Sequence, residues 1–403
     1  MPDRRSHVER RKDTERRHAS DHRCAAIEIC RSELRLAILH QAPGQDLDQI
    51  VARTIPWRKH ATSYFSDTAV SELSAAFCRL VAEEKLTGST IRIVLSGDLC
   101  VTRALTGTAD YVRKEMSQLE ERSQLYLSLG PGKKAVAGSI QQMDARHQIA
   151  LLTVANQKTM DSLLQVAAAA GVKIESVEPS LVALSRIIGC LEPSEDEPQI
   201  VVHLDGDTIE LGICHRGQLL LDYRPANRSD SIPVAVIIQR HLTRLQRYCD
   251  RHYRFLNKPL RRVFLCGKAI PTRVALASFV PCEELHAEMI DLSISAQLSG
   301  PERLAETQDK TGSGQHQDAS ATSPPVEPLD IEWEYVGEPP GCGMAAVLGA
   351  ILTSQQHASE SIGPNLMAFQ SAQNRDPVGP ILIRSLVPIA AMFFLMATLF
   401  LIN

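Results

Sequence analysis

The residue types that most often carry metal or redox chemistry are present in this sequence, but their spacings do not suit it. Ten cysteines and thirteen histidines occur among 403 residues. The cysteines form no Cys-x-x-Cys pair and no Cys/His set at zinc-binding spacing, so we interpret them as reduced core thiols. His203, inside a predicted strand, is interpreted as a core residue rather than a ligand or base. The sequence therefore predicts no metal centre and no catalytic residue.

A row of arginines offers a different chemistry, the binding of anions. They recur at i, i+4, i+7 and i+11 on one predicted helix: Arg240, Arg244, Arg247 and Arg251. The opposite face of that helix is apolar and is predicted to be buried: Ile238, Leu242, Leu245 and Cys249. The arginines could meet anionic lipid, an acidic partner helix, or only solvent. The net charge of −4 gives no reason to expect nucleic acid as a partner.

The hydrophobic pattern arranges the predicted elements in two similar series. The first series has strands at 24–29 and 33–39, joined by a tight turn, then a helix at 68–84 and a strand at 91–96, with which a strand at 101–105 could pair. A helix at 158–170 is predicted to end at Gly171. The second series repeats the opening: strands at 200–204, 208–214 and 218–223, a helix at 231–253 and a strand at 262–266.

This organisation predicts a two-lobed α/β body with a ligand cleft between the lobes. The acidic, proline-bounded stretch 191–198 separates the lobes. The predicted segments, in order, are a disordered charged arm (1–23), lobe I (24–190, with an inserted subdomain at about 109–178), lobe II (199–352, with a disordered insert at about 295–328), a juxtamembrane linker (353–378) and a transmembrane helix (381–402).

The transmembrane prediction rests on the uncharged apolar run 385–402. As a helix this run would span about 27 Å, close to the hydrocarbon thickness of about 30 Å. Arg375 and Arg384 lie on its N-terminal side, which favours a cytoplasmic body. Residues 1–23 lack the apolar stretch of a signal peptide. We therefore expect a single-pass protein of the inner (cytoplasmic) membrane with its main body in the cytoplasm.

Four segments, in order, resemble the actin-like ATPase superfamily, and more narrowly the type IV pilus assembly protein PilM and the cytoplasmic domain of the type II secretion protein GspL. They are 149–189 with its Val-Glu-Pro triplet, 200–224, 263–269 (VFLCGKA) and 343–352 (GMAAVLGAIL). The resemblance implies a two-lobed actin-like (ribonuclease H-like) fold. In that fold two hairpins bind nucleotide phosphates through backbone N–H groups, and carboxylates position magnesium.

The resemblance also implies a degenerate nucleotide cleft, with candidate residues Glu28, Asp205, Gly206, Thr208, Gly267 and Lys268. In the first loop Cys30 replaces a glycine and would lie where phosphate should. In the second loop an ungapped alignment puts His203 at the metal-side acid position, whereas a shifted turn puts Asp205 there. Asp205 and Asp207 would add like charges, each unpaired contact costing about 4 kcal/mol. Lys268 could contact a phosphate or be solvated. We expect weak binding of ATP and magnesium or none, and no useful ATPase rate.

A short segment links the predicted body to the predicted membrane helix. Residues 363–369 (GPNLMAF) resemble the INLLP peptide that precedes the membrane helix of PilN and docks on PilM. By that analogy Asn365 and Leu366 are docking residues, and the chain joins PilM to the first part of PilN. The alternative is an ordinary linker.

The resemblance implies a membrane-anchored, non-catalytic scaffold of a type IV pilus or type II secretion inner-membrane platform. Its expected partners are PilN/PilO-like or GspM-like membrane proteins and the assembly ATPase; self-association is left open. One alternative is an active actin-like ATPase with unusual loops that polymerises at the membrane, in the manner of FtsA. Another is a membrane-tethered sugar kinase, disfavoured because no candidate catalytic aspartate lies in a recognisable sugar-binding motif.

Overall fold

The computed structural model describes residues 22–41, 48–58, 66–142, 146–191, 197–205, 208–225, 232–253, 258–292, 333–335, 341–352 and 363–368. The predicted insert at 295–328 and the predicted membrane helix at 381–402 lie outside these ranges, as do most of the predicted arm and linker. Within the described ranges no helix is long and apolar enough to cross a membrane. The membrane helix therefore stays a prediction.

Fourteen strands occur in the described residues: β1 (His22–Ile29), β2 (Glu33–Gln41), β3 (Asp48–Pro56), β4 (Thr90–Leu95), β5 (Cys100–Gly107), β6 (Lys134–Gln142), β7 (Gln148–Asn156), β8 (Lys173–Pro179), β9 (Gln199–Asp205), β10 (Thr208–His215), β11 (Gln218–Tyr223), β12 (Arg262–Gly267), β13 (His286–Met289) and β14 (Trp333–Tyr335). The α-helices of the same ranges are α1 (Asp67–Glu83), α2 (Ala109–Glu121), α3 (Gln157–Ala170), α4 (Ser180–Leu191), α5 (Val234–His252), α6 (Ala269–Ala277) and α7 (Ala345–Leu352).

Two sheets repeat one strand order. The first sheet runs β14–β3–β2–β1–β4–β8 and the second runs β11–β10–β9–β12–β13. In each, three consecutive antiparallel strands are followed by two strands parallel to the first of the three. The central strands are rich in buried apolar residues, and β9 is buried at every residue, although it carries Gln199, His203 and Asp205, as expected for a strand covered on both faces. The structure therefore has the two α/β lobes that the sequence predicts.

A third sheet is inserted into the first lobe. Its three antiparallel strands have the order β5–β7–β6, and α2 packs against β5 and β7. The expectation that a strand at 101–105 pairs with the strand at 91–96 is wrong, because β5 pairs with β7 instead. Strand β8, within the range predicted for the insert, lies in the first sheet beside β4. Helix α3 connects β7 of the inserted sheet to β8 of the first sheet. Gly171 ends this helix in the left-handed conformation, as predicted.

Helices α4 and α7 pack against each other between the two large sheets. Their backbones are so close that a Cβ atom added to Gly349 would lie 1.9 Å from the carbonyl oxygen of Ala183. Helix α7 also contacts β1, β2 and β4, so it packs on the first sheet although its range was predicted in lobe II. The two lobes therefore share one continuous apolar core beneath the cleft.

Candidate functional site

Each of the two hairpins at the cleft carries a buried ionisable pair directly across its strands. In the first hairpin Glu28 on β1 lies opposite Arg35 on β2. In the second hairpin His203 on β9 lies opposite Glu210 on β10. Cross-strand neighbours on the same face are close enough to interact, so the hairpin register itself forms both pairs.

Arg35 holds the first hairpin together although its side chain is only 2% exposed. Its Nη1 lies 3.2 Å from Glu28 Oε2, and its Nη2 lies 2.7 Å from Glu33 Oε1. Nη1 also donates to the carbonyl oxygen of Gly343 at 2.9 Å, just before α7. Burial raises the pKa of Glu28, although Arg35 and His203 oppose that rise. The buried guanidinium of Arg35 thus joins the first hairpin to the segment before α7.

His203 connects the two hairpins. Its Nδ1 lies 3.2 Å from Glu210 Oε1, and its Nε2 lies 3.5 Å from Glu28 Oε1. Burial disfavours the imidazolium, but the carboxylates of Glu210 and Glu28 outweigh that effect and raise the pKa of His203 to about 9. Burial likewise disfavours the Glu210 carboxylate, but His203 outweighs it and lowers the pKa of Glu210 to about 2. At neutral pH His203 is therefore a buried cation between two glutamates.

Glu210 also joins the second hairpin to the first lobe. Its Oε1 accepts a hydrogen bond from the Gly97 amide at 2.7 Å, and its Oε2 accepts one from Ser180 Oγ at 2.7 Å. Gly97 follows β4 and Ser180 begins α4. A Cβ atom at Gly97 would lie 2.5 Å from Glu210 Cδ, so only glycine allows this approach.

Asp205 binds the turn of the first hairpin directly. Its Oδ2 accepts a hydrogen bond from the Arg31 amide at 2.7 Å, and its backbone carbonyl accepts one from Thr208 Oγ1 at 2.7 Å. Burial raises the pKa of Asp205, opposed by His203 and by the Arg31 N–H group. Gly206 and Asp207, which were predicted for the loop of the second hairpin, lie outside the described residues. A carboxylate of the chain thus takes up a loop amide that could otherwise bind an anion.

Gly267 and Lys268 form the third part of the cleft. Gly267 has φ +133°, and a Cβ atom there would lie 2.2 Å from the carbonyl oxygen of Leu204, so the end of β12 requires glycine. Lys268 was predicted either to contact a phosphate or to be solvated. Instead its Nζ donates to Ser32 Oγ at 2.8 Å and lies 3.2 Å from Glu33 Oε2. Lys268 therefore ties the second lobe to the first hairpin.

The residues described above, which we call the cleft network, are Glu28, Arg31, Glu33, Arg35, His203, Asp205, Glu210 and Lys268. They do not fit an ATP–magnesium complex, because the Arg31 amide and the Lys268 ammonium are already bound to carboxylates. Three buried polar atoms of the network have no hydrogen-bond partner among the described residues: Glu28 Oε1, His203 Nε2 and Asp205 Oδ1. The described part of the chain contains no group of three or more side chains suited to hold a metal ion.

Cys30, the residue at the glycine position of the first loop, is fully buried. Its amide donates to the carbonyl oxygen of Glu33 at 3.1 Å, and its carbonyl accepts from Trp57 Nε1 at 2.9 Å. Burial raises the pKa of its thiol. Cys30 is therefore held as a core residue of the turn.

Residues 363–368 pack along β8, an outer strand of the first sheet. The Val177 amide donates to Asn365 Oδ1 at 3.0 Å, and the Leu366 amide donates to the Val177 carbonyl at 2.9 Å. Leu366 is 0% exposed and belongs to the apolar core of the first lobe. A Cβ atom at Gly363 would lie 2.8 Å from Val182 Cγ1 on α4. The two predicted docking residues thus make these contacts with this chain's own body.

The arginine row lies on α5 as predicted, with all four guanidinium-bearing residues exposed. The opposite face faces the core of the second lobe, with Ile238, Leu245 and Cys249 buried and Leu242 half-buried. Arg244 lies over the Tyr223 ring, 5.7 Å from its centroid. The row contributes no side chain to the cleft network.

Comparison with known proteins gives a likeness of fold and not of sequence. No family model matches this chain, and no curated protein matches it. A solved structure described as the PilM–PilN type IV pilus biogenesis complex aligns with a TM-score of 0.55 at 12% identity, covering 83% of this chain and 99% of the other. The two chains share a fold. The predicted resemblance to PilM is thus confirmed at the level of the fold, a two-lobed α/β body with a repeated strand order.

Two further solved structures align at lower similarity. One is the cytoplasmic domain of EpsL, an inner-membrane component of the type II secretion system of Vibrio cholerae, with a TM-score of 0.38 and 11% identity over 86% of this chain and 98% of the other. The second is a Bacteroides thetaiotaomicron protein described as having an actin-like ATPase fold and unknown function. It has a TM-score of 0.38 and 11% identity over 67% of this chain and 91% of the other.

Sequence reasoning found the acidic and glycine positions of the cleft but missed Arg35, Glu33 and Glu210. The signal was available. Once the turns at 30–32 and 206–207 are assigned, the antiparallel register places Glu28 opposite Arg35 and His203 opposite Glu210. A nucleotide-binding pattern covers only the loops, so it does not include the strand residues that carry these partners.

Proposed function

We propose that this protein is a non-catalytic, actin-like scaffold of a type IV pilus or type II secretion inner-membrane platform, anchored by the predicted helix at 381–402. The observation that carries the non-catalytic role is the hydrogen bond from the Arg31 amide to Asp205. A phosphate entering this cleft would have to displace a buried carboxylate from its donor. Breaking such a charge-assisted contact without a replacement costs about 1–3 kcal/mol, and the Lys268–Glu33 pair adds a second barrier.

The assignment to a pilus or secretion platform rests on the fold shared with the PilM–PilN complex structure and on residues 363–368. That segment carries the Asn-Leu pair of the PilN-like peptide and is bound on the first lobe through Val177. In this proposal the chain supplies its own docking peptide, and the body recruits PilN/PilO-like or GspM-like membrane proteins and the assembly ATPase. The main body lies in the cytoplasm beside the inner membrane.

Isothermal titration calorimetry of the full chain with ATP and magnesium tests the non-catalytic role. We expect no measurable binding at millimolar nucleotide and no magnesium-dependent release of phosphate, because the cleft network occupies the phosphate donors. Binding at micromolar Kd together with hydrolysis would favour the alternative, an active actin-like ATPase that polymerises at the membrane.

The variant Asp205→Ala is the matched comparison for that titration. It frees the Arg31 amide while leaving the first hairpin intact. Nucleotide binding by the variant and not by the natural chain would show that the Asp205 contact is what excludes phosphate. The membrane role is tested separately, by asking whether the full chain resists extraction from membranes at high pH and whether deletion of 381–402 releases it.

A further inference from the structure

Five of the six outer strands of the three sheets are protected against pairing with another chain, as natural edge strands usually are. Strand β8 is covered by residues 363–368. Strand β14 has three residues, and β13 has four and carries the ion pair Arg262–Glu288 at 2.6 Å. Strands β5 and β11 lie against each other, joined by the hydrogen bond from the Thr102 amide to Asp222 Oδ2 at 2.9 Å. The sixth strand is β6.

Residues 138–141 of β6 have none of these protections in the described part of the chain. Its first four residues are buried, whereas exposure alternates from Gly138 onward and Ile140 is 45% exposed. One side of the strand pairs with β7 along its full length. The other side of 138–141 receives no backbone hydrogen bond from any described residue. The sequence 135–143 (AVAGSIQQM) contains no charge and no proline.

We propose that the outer edge of residues 138–141 binds the β6 strand of a second copy of the chain. The two strands would pair antiparallel about a two-fold axis perpendicular to the sheet. The two inserted sheets would thereby join into one sheet of six strands.

The symmetry of such a pair decides which residues meet. With the axis perpendicular to the sheet and midway between the two strands, directly opposite residues must point to the same face, so one residue of the strand lies opposite its own copy. Placed at Ile140, the axis sets Ile140 opposite Ile140 of the second copy and Ser139 opposite Gln141 of that copy. Aliphatic and small polar cross-strand pairs are favourable.

A second copy fits this edge better than a charged partner segment. The stretch 135–143 offers no countercharge to an acidic or basic peptide, whereas pairing with itself brings no like charges together. The contact uses only half of one strand, so it is smaller than a standard interface of roughly 800 Å² per partner. We therefore infer a dimer that forms in a concentration-dependent way.

Sedimentation velocity of the full chain in a mild detergent, over a hundredfold range of concentration, tests the proposal. The natural chain is expected to shift from monomer to dimer. Ile140→Lys and Ile140→Glu should each raise the dissociation constant at least about tenfold, because each places two like charges opposite each other. An equimolar mixture of the two variants should regain the dimer, since lysine then faces glutamate.

Val280→Lys is the matched control, because Val280 is 86% exposed and lies in the second lobe, away from β6. It adds the same charge and should leave the dissociation constant unchanged. Thermal unfolding of all variants shows whether the chain remains folded. A natural chain that stays monomeric, a dimer that survives Ile140→Lys, or a mixture that stays monomeric would each overturn the proposal.

Discussion

His203 is the residue through which the two hairpins interact electrostatically. Its imidazolium faces Glu28 and Glu210, and Arg35 is also close enough to affect its pKa. A histidine whose pKa rises on folding stabilises the native state fully below its unfolded pKa, and that contribution is lost as the pH rises through the folded pKa. For His203 the window runs from 6.5 to about 9.

We predict that the free energy of unfolding falls by up to about 3 kcal/mol across that window. His203→Gln should flatten the dependence, because glutamine keeps a hydrogen-bonding group but cannot be charged. Chemical denaturation at several pH values measures it. His286→Gln, at an exposed histidine on β13, is the control and should leave the dependence as it is. A natural chain whose stability is constant over this range would contradict the inferred charge on His203.

Only some residues of the cleft network can be identified from a local sequence pattern. Glu28, Asp205 and Gly267 lie at the ends of strands beside recognisable turns, which is why a local pattern could single them out. The contact between Asp205 and the Arg31 amide joins positions 174 residues apart. No local pattern encodes such a pairing, since it depends on how the two lobes close on each other.

Among the elements, the contact between α4 and α7 is the most sensitive to a small change. Gly349→Ala would place a methyl group against the carbonyl of Ala183, and backbone on both sides cannot move away without separating the helices. We predict a loss of about 2–4 kcal/mol in unfolding free energy. Gly341→Ala is the control, because nothing lies within 4 Å of a Cβ atom there. Equal melting temperatures for the two variants would refute this account of the helix contact.

The segment 363–368 gives a second prediction for the elements. Asn365→Ala removes the acceptor of the Val177 amide, so hydrogen exchange at Val177 should become faster. Leu366→Ala deletes a fully buried side chain and should weaken docking by about 2–4 kcal/mol. Mass spectrometry of deuterated peptides and limited proteolysis measure both effects. Ala368→Ser, at an exposed position, should match the natural chain. Unchanged protection of β8 in both alanine variants would mean that the segment is not bound there in solution.

Elements with strong local patterns were predicted well, whereas those that depend on distant partners were missed. The first hairpin and the end of α3 at Gly171 follow from alternating apolar residues and a C-terminal glycine. Strand β14 is three residues long and pairs with β3, almost three hundred residues earlier. Strand β6 is rich in small residues and exists through its pairing with β7. Their conformations are set by tertiary pairing more than by local propensity.

For the whole molecule, the cleft network predicts that the lobes keep one relative position. Single-molecule energy transfer between dyes at Glu83 on α1 and Glu283 after α6, both exposed and in different lobes, measures it. Dyes attached through unnatural amino acids leave the natural cysteines unlabelled. The distance distribution should be narrow and unaffected by ATP and magnesium, because Asp205 and Lys268 already bind the first hairpin.

The double variant Asp205→Ala with Lys268→Ala should broaden that distribution, since two contacts between the lobes are lost. A shift of several ångströms in the natural chain on adding nucleotide would show that the lobes close around a ligand, and the scaffold proposal would then be wrong.

The positive charge between the hairpins is carried by the chain itself, on the imidazolium of His203. Proteins whose two lobes close around a nucleotide change shape when that nucleotide binds. A protein whose two hairpins are joined through the His203 imidazolium would keep one conformation at any cellular ratio of ATP to ADP. If the proposed scaffold role is right, any timing of assembly would then have to come from its partners.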